Sequence, residues 1–256
     1  ATTVITSPKK TYANEDASSK VSGAIRGLFA ESVKMVNPSD AQLKELGLSD
    51  PYAAIEAVYP DTTVSLIASK PDSSGKVNIM PKGGKVVYTM ASANLPWVDM
   101  SYEKLTSEYV LHPLMSAVST LTINNGSDTY TFDISTKDTT TTNEDGEEST
   151  TTTTTVVYKD NELNSSYFST FFQNLTLLTK SDTTADKPSG NAVFTAEYKY
   201  SDGSTDTVKF YNADGNKYLA EVNGESVGHL YKTNPSKLIE QVKTVANNKE
   251  VTDFAA

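Results

Sequence analysis

The chain has 256 residues, 37% of them hydrophobic, and a formal net charge of −10. This length suits one large domain or two modest ones, and the hydrophobic content is well above that of disordered chains. The acidic charge without a Lys- or Arg-rich patch excludes nucleic acid and anionic membrane surfaces as partners, and the absence of cysteine excludes disulfides, thiolate nucleophiles and cysteine metal sites.

After a short extended piece and a loop opened by Pro8, residues 14–36 have apolar residues at helical spacing. Asn14 is a suitable N-cap, and the two acids after it favour the positive end of a helix. The spacing predicts one helix with a buried side formed by Val21, Ile25, Leu28, Phe29 and Val33.

A second, short helix is predicted from residue 39, because Ser39 and Gln42 have the spacing of a capping box. Gly47 stands where a left-handed residue ends a helix, and Pro51 prevents continuation. Four strands are predicted next, over residues 52–60, 62–69, 76–81 and 85–91. A helix is predicted over 101–111.

The second half begins with a hairpin over 117–135, which has Asn-Gly chemistry at its turn. A strand over 156–160 and a Phe-rich helix over 164–179 follow. Four strands and a helix that begins near Pro235 complete the chain. The order of elements resembles that of the first half, which predicts an internal duplication with Tyr88 opposite Tyr231.

These patterns predict an α+β fold of two tandem repeats, over 1–115 and 116–256. Each repeat is expected to be an antiparallel β-meander with helices on one face and a wetter opposite face. The first repeat lacks a hairpin, and we expect its opening strands upstream of Ala1. The alternative is that any protein of helices and meanders looks self-similar at this resolution.

The residues "SPKKTYANEDASSKVSGAIRGLFAES", then "LKELGLSDPYAAIEAVY" and "VVYTM", resemble a bacterial family catalogued as domain of unknown function 4340. The residues that carry this resemblance are structural: Pro8, Gly47, Leu48, Pro51 and Tyr88. Two departures are Ile5 to Ser7 in place of an aromatic residue before the loop proline, and 187–190 in place of the Gly-Leu-x-x-Pro junction. The resemblance covers residues 4 to about 115 directly.

The resemblance implies an envelope protein anchored by an N-terminal membrane segment, which here would lie upstream of Ala1. It implies a link to ABC-transporter systems of the gliding-motility type. It implies no catalytic residue.

No arrangement in the sequence indicates catalysis, a cofactor or a metal. His112 and His229 have no metal-ligand spacing, and the Asp-Gly turns lack the calcium-loop pattern. Most acids fall in turns or on helix exteriors, which favours solvated charge over a glycosidase pair. Nucleotide-binding motifs are absent from the sequence.

Two further features have a structural and a functional interpretation. The Thr- and acid-rich stretch 136–155 predicts a long hairpin with an inserted tip, or else an exposed loop that touches a partner or the cell wall. Trp97 and Tyr102 are predicted to be core residues. The alternative is that they belong to a ligand site or an interface.

The predicted function is therefore a non-catalytic binding or scaffolding module outside the cytoplasm, with a protein partner in the envelope and no membrane contact of its own. A Cys-free, acidic, Thr-rich composition favours an exported protein. One alternative is an adhesive module that holds a carbohydrate or peptide in a groove between the repeats. A hydrolase is the second alternative.

Overall fold

The structure, a computed structural model, describes residues 3–8, 10–142 and 148–254. Its helices are α1 (Glu15–Arg26), α2 (Asp40–Glu45), α3 (Tyr102–Leu105), α4 (Ser165–Thr176) and α5 (Thr233–Ala246). Its strands are β1 (Val4–Ile5), β2 (Thr11–Tyr12), β3 (Ser32–Val36), β4 (Ala53–Val58), β5 (Thr63–Ala68), β6 (Lys76–Pro81), β7 (Val86–Ala91), β8 (Val118–Asn124), β9 (Thr129–Thr142), β10 (Glu148–Tyr158), β11 (Asn161–Glu162), β12 (Phe194–Tyr200), β13 (Thr205–Ala213), β14 (Lys217–Val222) and β15 (Glu225–Tyr231).

The chain divides into two compact units. Unit 1 contains residues 1–5 and 12–107, and unit 2 contains residues 6–11 and 108–256. The strand pairs of both large sheets are antiparallel. The predicted α+β class with antiparallel sheets is therefore confirmed, while the tandem repeats stay a prediction.

Unit 1 is built on a five-stranded sheet in the order β3-β7-β6-β5-β4. One face packs against Val21 of α1, Leu28 and the segment 95–98. The other face packs against Leu43 and Leu46 near α2. The expectation that helices cover one face only is wrong for this unit, because side chains alternate along strands and both sets are apolar.

The first helix is shorter than predicted. Helix α1 ends at Arg26, Gly27 is extended, and residues 32–36 form strand β3 instead of further helical turns. The apolar spacing continues past Gly27, but β-branched Val33 and Val36 favour a strand. The predicted helix over 101–111 is likewise reduced to the single turn of α3.

The junction after α2 agrees with the sequence in detail. Ser39 and Gln42 form the reciprocal capping box. Gly47 has φ +70°, and its N–H donates to the carbonyl of Lys44 at 3.1 Å, while the N–H of Leu48 donates to the carbonyl of Leu43 at 2.8 Å. This pair of bonds is a Schellman motif, and Leu48 packs in the same cluster as Leu43.

Unit 2 is built on an eight-stranded sheet in the order β11-β10-β9-β8-β12-β13-β14-β15. Aromatic side chains of α4 pack on one face: Phe168 contacts Phe132 with ring centres 5.1 Å apart, and Phe172 lies edge-on to Tyr198. The buried side of α5 is formed by Leu238, Val242 and Val245. The strands present many threonines on the opposite face, among them Thr120, Thr122, Thr131, Thr195 and Thr207.

The Thr-rich stretch forms strands, as the hairpin interpretation predicts. Strand β9 pairs with β10 from Asp133 opposite Val157 to Thr142 opposite Glu148. The acid-rich tip of that predicted hairpin, residues 143–147, lies outside the described residues.

Candidate functional site

Three exposed apolar residues lie on or just before β3, an edge strand of the unit 1 sheet. Phe29 is 87% exposed, and Val33 and Val36 are each 58% exposed. Val33 lies opposite Tyr88 and Val36 opposite Val86, so both valines share the sheet face of those partners. We call Phe29, Val33 and Val36 the edge patch. Large apolar side chains exposed on an edge strand and just before it favour an interaction site.

The edge patch lies on a strand with one open side. Strand β3 pairs with β7, and no other strand in the described part of the chain pairs with it. The pairing shifts between Val33 and Met35, where a bulge leaves Lys34 without an opposite residue. The outer backbone groups of such a strand are available to pair with an added strand.

The charge near the edge patch differs from that of the protein as a whole. Arg26, Lys34 and Lys85 are exposed around it, and Glu31 is paired with Lys76 at 2.9 Å. Residues 1–107 carry eleven Lys and Arg and eleven Asp and Glu, whereas residues 108–256 carry eleven and twenty-one. The net charge of −10 therefore belongs to the second range, and the edge patch lies in neutral surroundings with local cations.

The apolar spacing of the sequence does not indicate this site, because it predicts that Phe29 and Val33 lie on the buried side of a helix. The signal that could have found it is the run "SVKMV", residues 32–36, a few residues after Gly27, since β-branched residues after a helix end favour a strand. A pattern of apolar spacing alone cannot distinguish a buried helix face from an exposed strand that follows a shorter helix.

The residues that carried the family resemblance have separate structural positions. Pro8 is exposed after a cis peptide bond, Gly47 and Leu48 end α2, Pro51 is half-buried before β4, and Tyr88 packs on the sheet of unit 1. Each position fits a scaffolding role, and the four in unit 1 do not converge on one cleft.

Trp97 and Tyr102, the two aromatic candidates, are also part of the framework. Trp97 is 6% exposed and belongs to the main apolar cluster of unit 1. Its indole N–H has no hydrogen-bond acceptor among the described residues. Tyr102 begins α3, and its carbonyl accepts a 2.7 Å bond from the hydroxyl of Thr106.

Unit 2 contains a cluster of charged groups that the sequence did not reveal. One carboxylate oxygen of Asp182 accepts from the backbone N–H of His229 at 3.0 Å and lies 2.8 Å from Nδ1 of its ring. The other oxygen accepts from Nζ of Lys217 at 2.9 Å. Nε2 of His229 lies 3.4 Å from a carboxylate oxygen of Asp186. Asp182 and His229 are 47 residues apart, so no local pattern could have paired them.

The electrostatics of this cluster favour an anchor over a proton-transfer site. Burial tends to raise the pKa of Asp182, but hydrogen bonds from Lys217 and His229 outweigh it and lower the pKa to about 2. Both ring nitrogens of His229 face carboxylates, so the arrangement presents neither nitrogen to a substrate. The cluster holds the segment 180–182 against strand β15.

Lys180 begins the same segment and has an unusual environment. Its ammonium has no carboxylate within ion-pair distance among the residues that the structure describes. Burial lowers the pKa of Lys180 to about 8. Its side chain runs beside Gly228, where an added Cβ would lie 3.1 Å from Cδ of the lysine.

Unit 2 also has a cavity of about 380 Å³ between the end of α4, the end of β15, the first turn of α5 and residues 253–254. The side chain of Asn174 lies in its wall, but it is satisfied: it donates to Gln241 at 3.0 Å and to the carbonyl of Thr252 at 2.7 Å. Its oxygen accepts from the N–H of Phe254 at 3.0 Å. These bonds fix the chain after α5 to α4.

Within the described ranges, no group of three or more His, Asp or Glu side chains is arranged to hold a metal ion. None of the described helices is both long enough and apolar enough to cross a bilayer.

Comparison with known proteins identifies a family. The family model "Domain of unknown function (DUF4340)" matches residues 4–202. The chain belongs to this family. The DUF4340 match confirms the resemblance and extends it from about residue 115 to the turn after β12. Comparisons with curated proteins and with solved structures give no significant match.

Proposed function

We propose that this DUF4340 protein is a non-catalytic binding and scaffolding module of the bacterial cell envelope, located outside the cytoplasm. Its partner is a protein, and the edge patch is where that partner binds. The single observation that carries the proposal is the open strand β3 with Val33 and Val36 exposed on it and Phe29 exposed just before it. An exposed apolar edge strand is a liability in a protein that works alone, whereas it is a useful surface for a partner.

The open backbone, apolar side chains and nearby cations of the edge patch indicate which kind of partner segment it would bind. A strand added to β3 would form main-chain hydrogen bonds and cover the apolar side chains. Arg26, Lys34 and Lys85 favour acidic groups at its ends or on its outer face. The proposed ligand is therefore an extended, apolar segment with flanking acids. A role as an accessory to an ABC transporter complex is the form of this proposal that the family resemblance favours.

The proposed location outside the cytoplasm is supported by the composition of the chain and by the family resemblance. A Cys-free, acidic and Thr-rich chain is typical of exported bacterial proteins, and the resemblance implies the envelope. Protease treatment of intact cells against lysed cells tests this point. We expect the protein to be accessible once the outer layers are opened, and protection until the cytoplasm is released would contradict the proposal.

The internal duplication belongs to the same proposal. Each half has a twelve-residue helix capped by an asparagine, Asn14 for α1 and Asn164 for α4. In each half a four-stranded meander follows, β4 to β7 and β12 to β15, and then a further helix. This common order supports an origin from one ancestral unit of which a second copy was kept as scaffold.

Native electrophoresis of gently solubilised envelopes tests the binding role. We expect the wild-type protein to migrate in a complex larger than the free chain, and Val33→Lys to shift it to the free position. Val58→Lys is the matched control, because Val58 is 75% exposed on the opposite edge strand β4. Both substitutions are exposed and should leave stability within about 0.5 kcal/mol of wild type. A complex that survives Val33→Lys would contradict the proposal.

A further inference from the structure

A two-stranded ribbon extends beyond the rest of the unit 2 sheet. It consists of residues 134–142 of β9 and 148–156 of β10, and we call it the ribbon arm. Strand β8 pairs with β9 only over 129–133, and strand β11 pairs with β10 only at residues 157 and 158. Among the described residues, no third strand therefore pairs with either edge of the arm.

Both faces of the ribbon arm are also uncovered. At its base, Ile134 and Val156 are buried against the core. Beyond them, the side chains of residues 137–141 and 148–153 are all exposed, and these residues alternate between the two faces. The outer part of the arm consequently contributes no apolar burial to the fold.

Among the described residues, the contacts of the outer part of the arm are local, between its own two strands. The hydroxyls of Thr140 and Thr150 lie 3.0 Å apart, and the hydroxyl of Thr152 donates to Asp138 at 2.6 Å. Each such cross-strand pair contributes about 0.2–1 kcal/mol. An isolated two-stranded hairpin is marginally stable in water, so an added strand would stabilise the arm.

We propose that the ribbon arm binds an extended, basic segment of a partner polypeptide by strand addition to one of its open edges. The open edges supply backbone donors and acceptors, and threonine on both faces suits a strand. The described part of the arm carries two acids, Asp138 and Glu148, against one cation, Lys137, and the net charge of −10 lies in residues 108–256, to which the arm belongs. These acidic side chains favour a basic segment in the partner.

A second copy of the same arm fits less well than a basic segment. Pairing two copies would place Asp138 and Glu148 of each near the acids of the other. Like charges on adjacent strands are destabilising. This surface is distinct from the edge patch in residues and in the charge of the segment it accepts, so the two proposals stand or fall separately.

Fluorescence anisotropy of a labelled peptide tests the proposal on the full chain. The probe is a peptide of alternating lysine and threonine, as long as one strand of the arm. A second probe has the same sequence with alternate backbone nitrogens methylated, which keeps the charge and removes the donors that a strand needs. We expect the first probe to bind and the methylated probe to bind at least about tenfold more weakly, because strand addition requires main-chain bonds.

Two charge variants complete the test. The double variant Asp138→Lys with Glu148→Lys should weaken binding of the first probe by roughly tenfold or more. Asp214→Lys with Glu225→Lys makes the same charge change at an exposed turn and at the exposed first residue of β15, and should retain most binding. Equal binding of both probes, equal loss in both double variants, or no binding of the first probe would each overturn the proposal.

Discussion

Asp182 and His229 are joined twice, through the backbone N–H and through Nδ1 of the ring, and both bonds reach the same carboxylate oxygen. Since an ionised carboxylate can only accept, both nitrogens donate to it, and Nδ1 of the ring carries a proton. The N–H of Ser181 also donates to the carbonyl of His229 at 2.7 Å. The segment after α4 is thus fixed to the last strand of the unit 2 sheet.

Removal of the Asp182 carboxylate should therefore loosen unit 2. We expect Asp182→Ala to lower the free energy of unfolding by about 1–3 kcal/mol, because the charge-assisted hydrogen bonds from Lys217 and from both His229 nitrogens are lost. Asp186→Ala is the control, since Asp186 is 69% exposed and lies 3.4 Å from the ring. Urea denaturation of both variants measures the difference, and an equal effect would show that Asp182 is not the anchor.

The same carboxylate predicts a dependence of stability on pH. The pKa of Asp182 is about 2 in the folded protein against an ordinary value of 3.8, so its ionised form favours folding. This contribution is complete above about pH 4 and is lost as the pH falls towards 2. In urea titrations, the stability difference between wild type and Asp182→Asn should shrink over this window. A difference that stays constant would contradict the assignment.

Gly228 allows the anchored segment to approach strand β15. A Cβ at this position would collide with the carbonyl oxygen of Asp182. Gly228→Ala should displace the segment and destabilise the protein by about 1–3 kcal/mol, as overpacking does. Gly23→Ala is the contrasting control: nothing lies within 4 Å of its Cβ, and in helix α1 alanine should stabilise by up to about 1 kcal/mol. Thermal denaturation should show shifts of opposite sign.

Lys180 should lower the free energy of unfolding, because its ammonium is partly buried and has no carboxylate within ion-pair distance among the described residues. Its folded pKa of about 8 lies below the ordinary 10.5, so the charged form opposes folding. This penalty is complete below pH 8 and disappears as the pH rises towards 10.5. We expect Lys180→Met to raise the free energy of unfolding by about 1 kcal/mol or more at pH 7. Lys187→Met, at an exposed position, is the control and should change little.

Local signals in the sequence were sufficient for much of the fold. The capping box of Ser39, the positive φ of Gly47 and the buried phenylalanines of α4 depend on residues within one or two helical turns. Such patterns specify geometry directly, because the interacting groups are neighbours in the chain. The four strands of unit 1 from β4 to β7 also lie where alternating apolar residues predict them.

The candidate sites were less predictable, since they depend on which surfaces remain uncovered. Phe29 and Val33 have the spacing of a buried helix face, but α1 ends at Arg26, which leaves Phe29 in the segment before β3 and Val33 on this edge strand. The pairing of Asp182 with His229 is set by the course of the segment after α4. Tertiary structure therefore overrides the local pattern at Phe29 and Val33. It also creates the Asp182–His229 pair, which no local pattern indicates.

The most direct test of the binding role is site-specific photo-crosslinking in living cells. A photoreactive amino acid is placed at position 33 in strand β3, or at position 58 in strand β4 as the matched exposed control. The account predicts one defined adduct with an envelope protein from position 33, lost when Val36→Lys is added, and none from position 58. The same adduct from both positions, or none from position 33, would contradict the assignment of β3 as the binding edge.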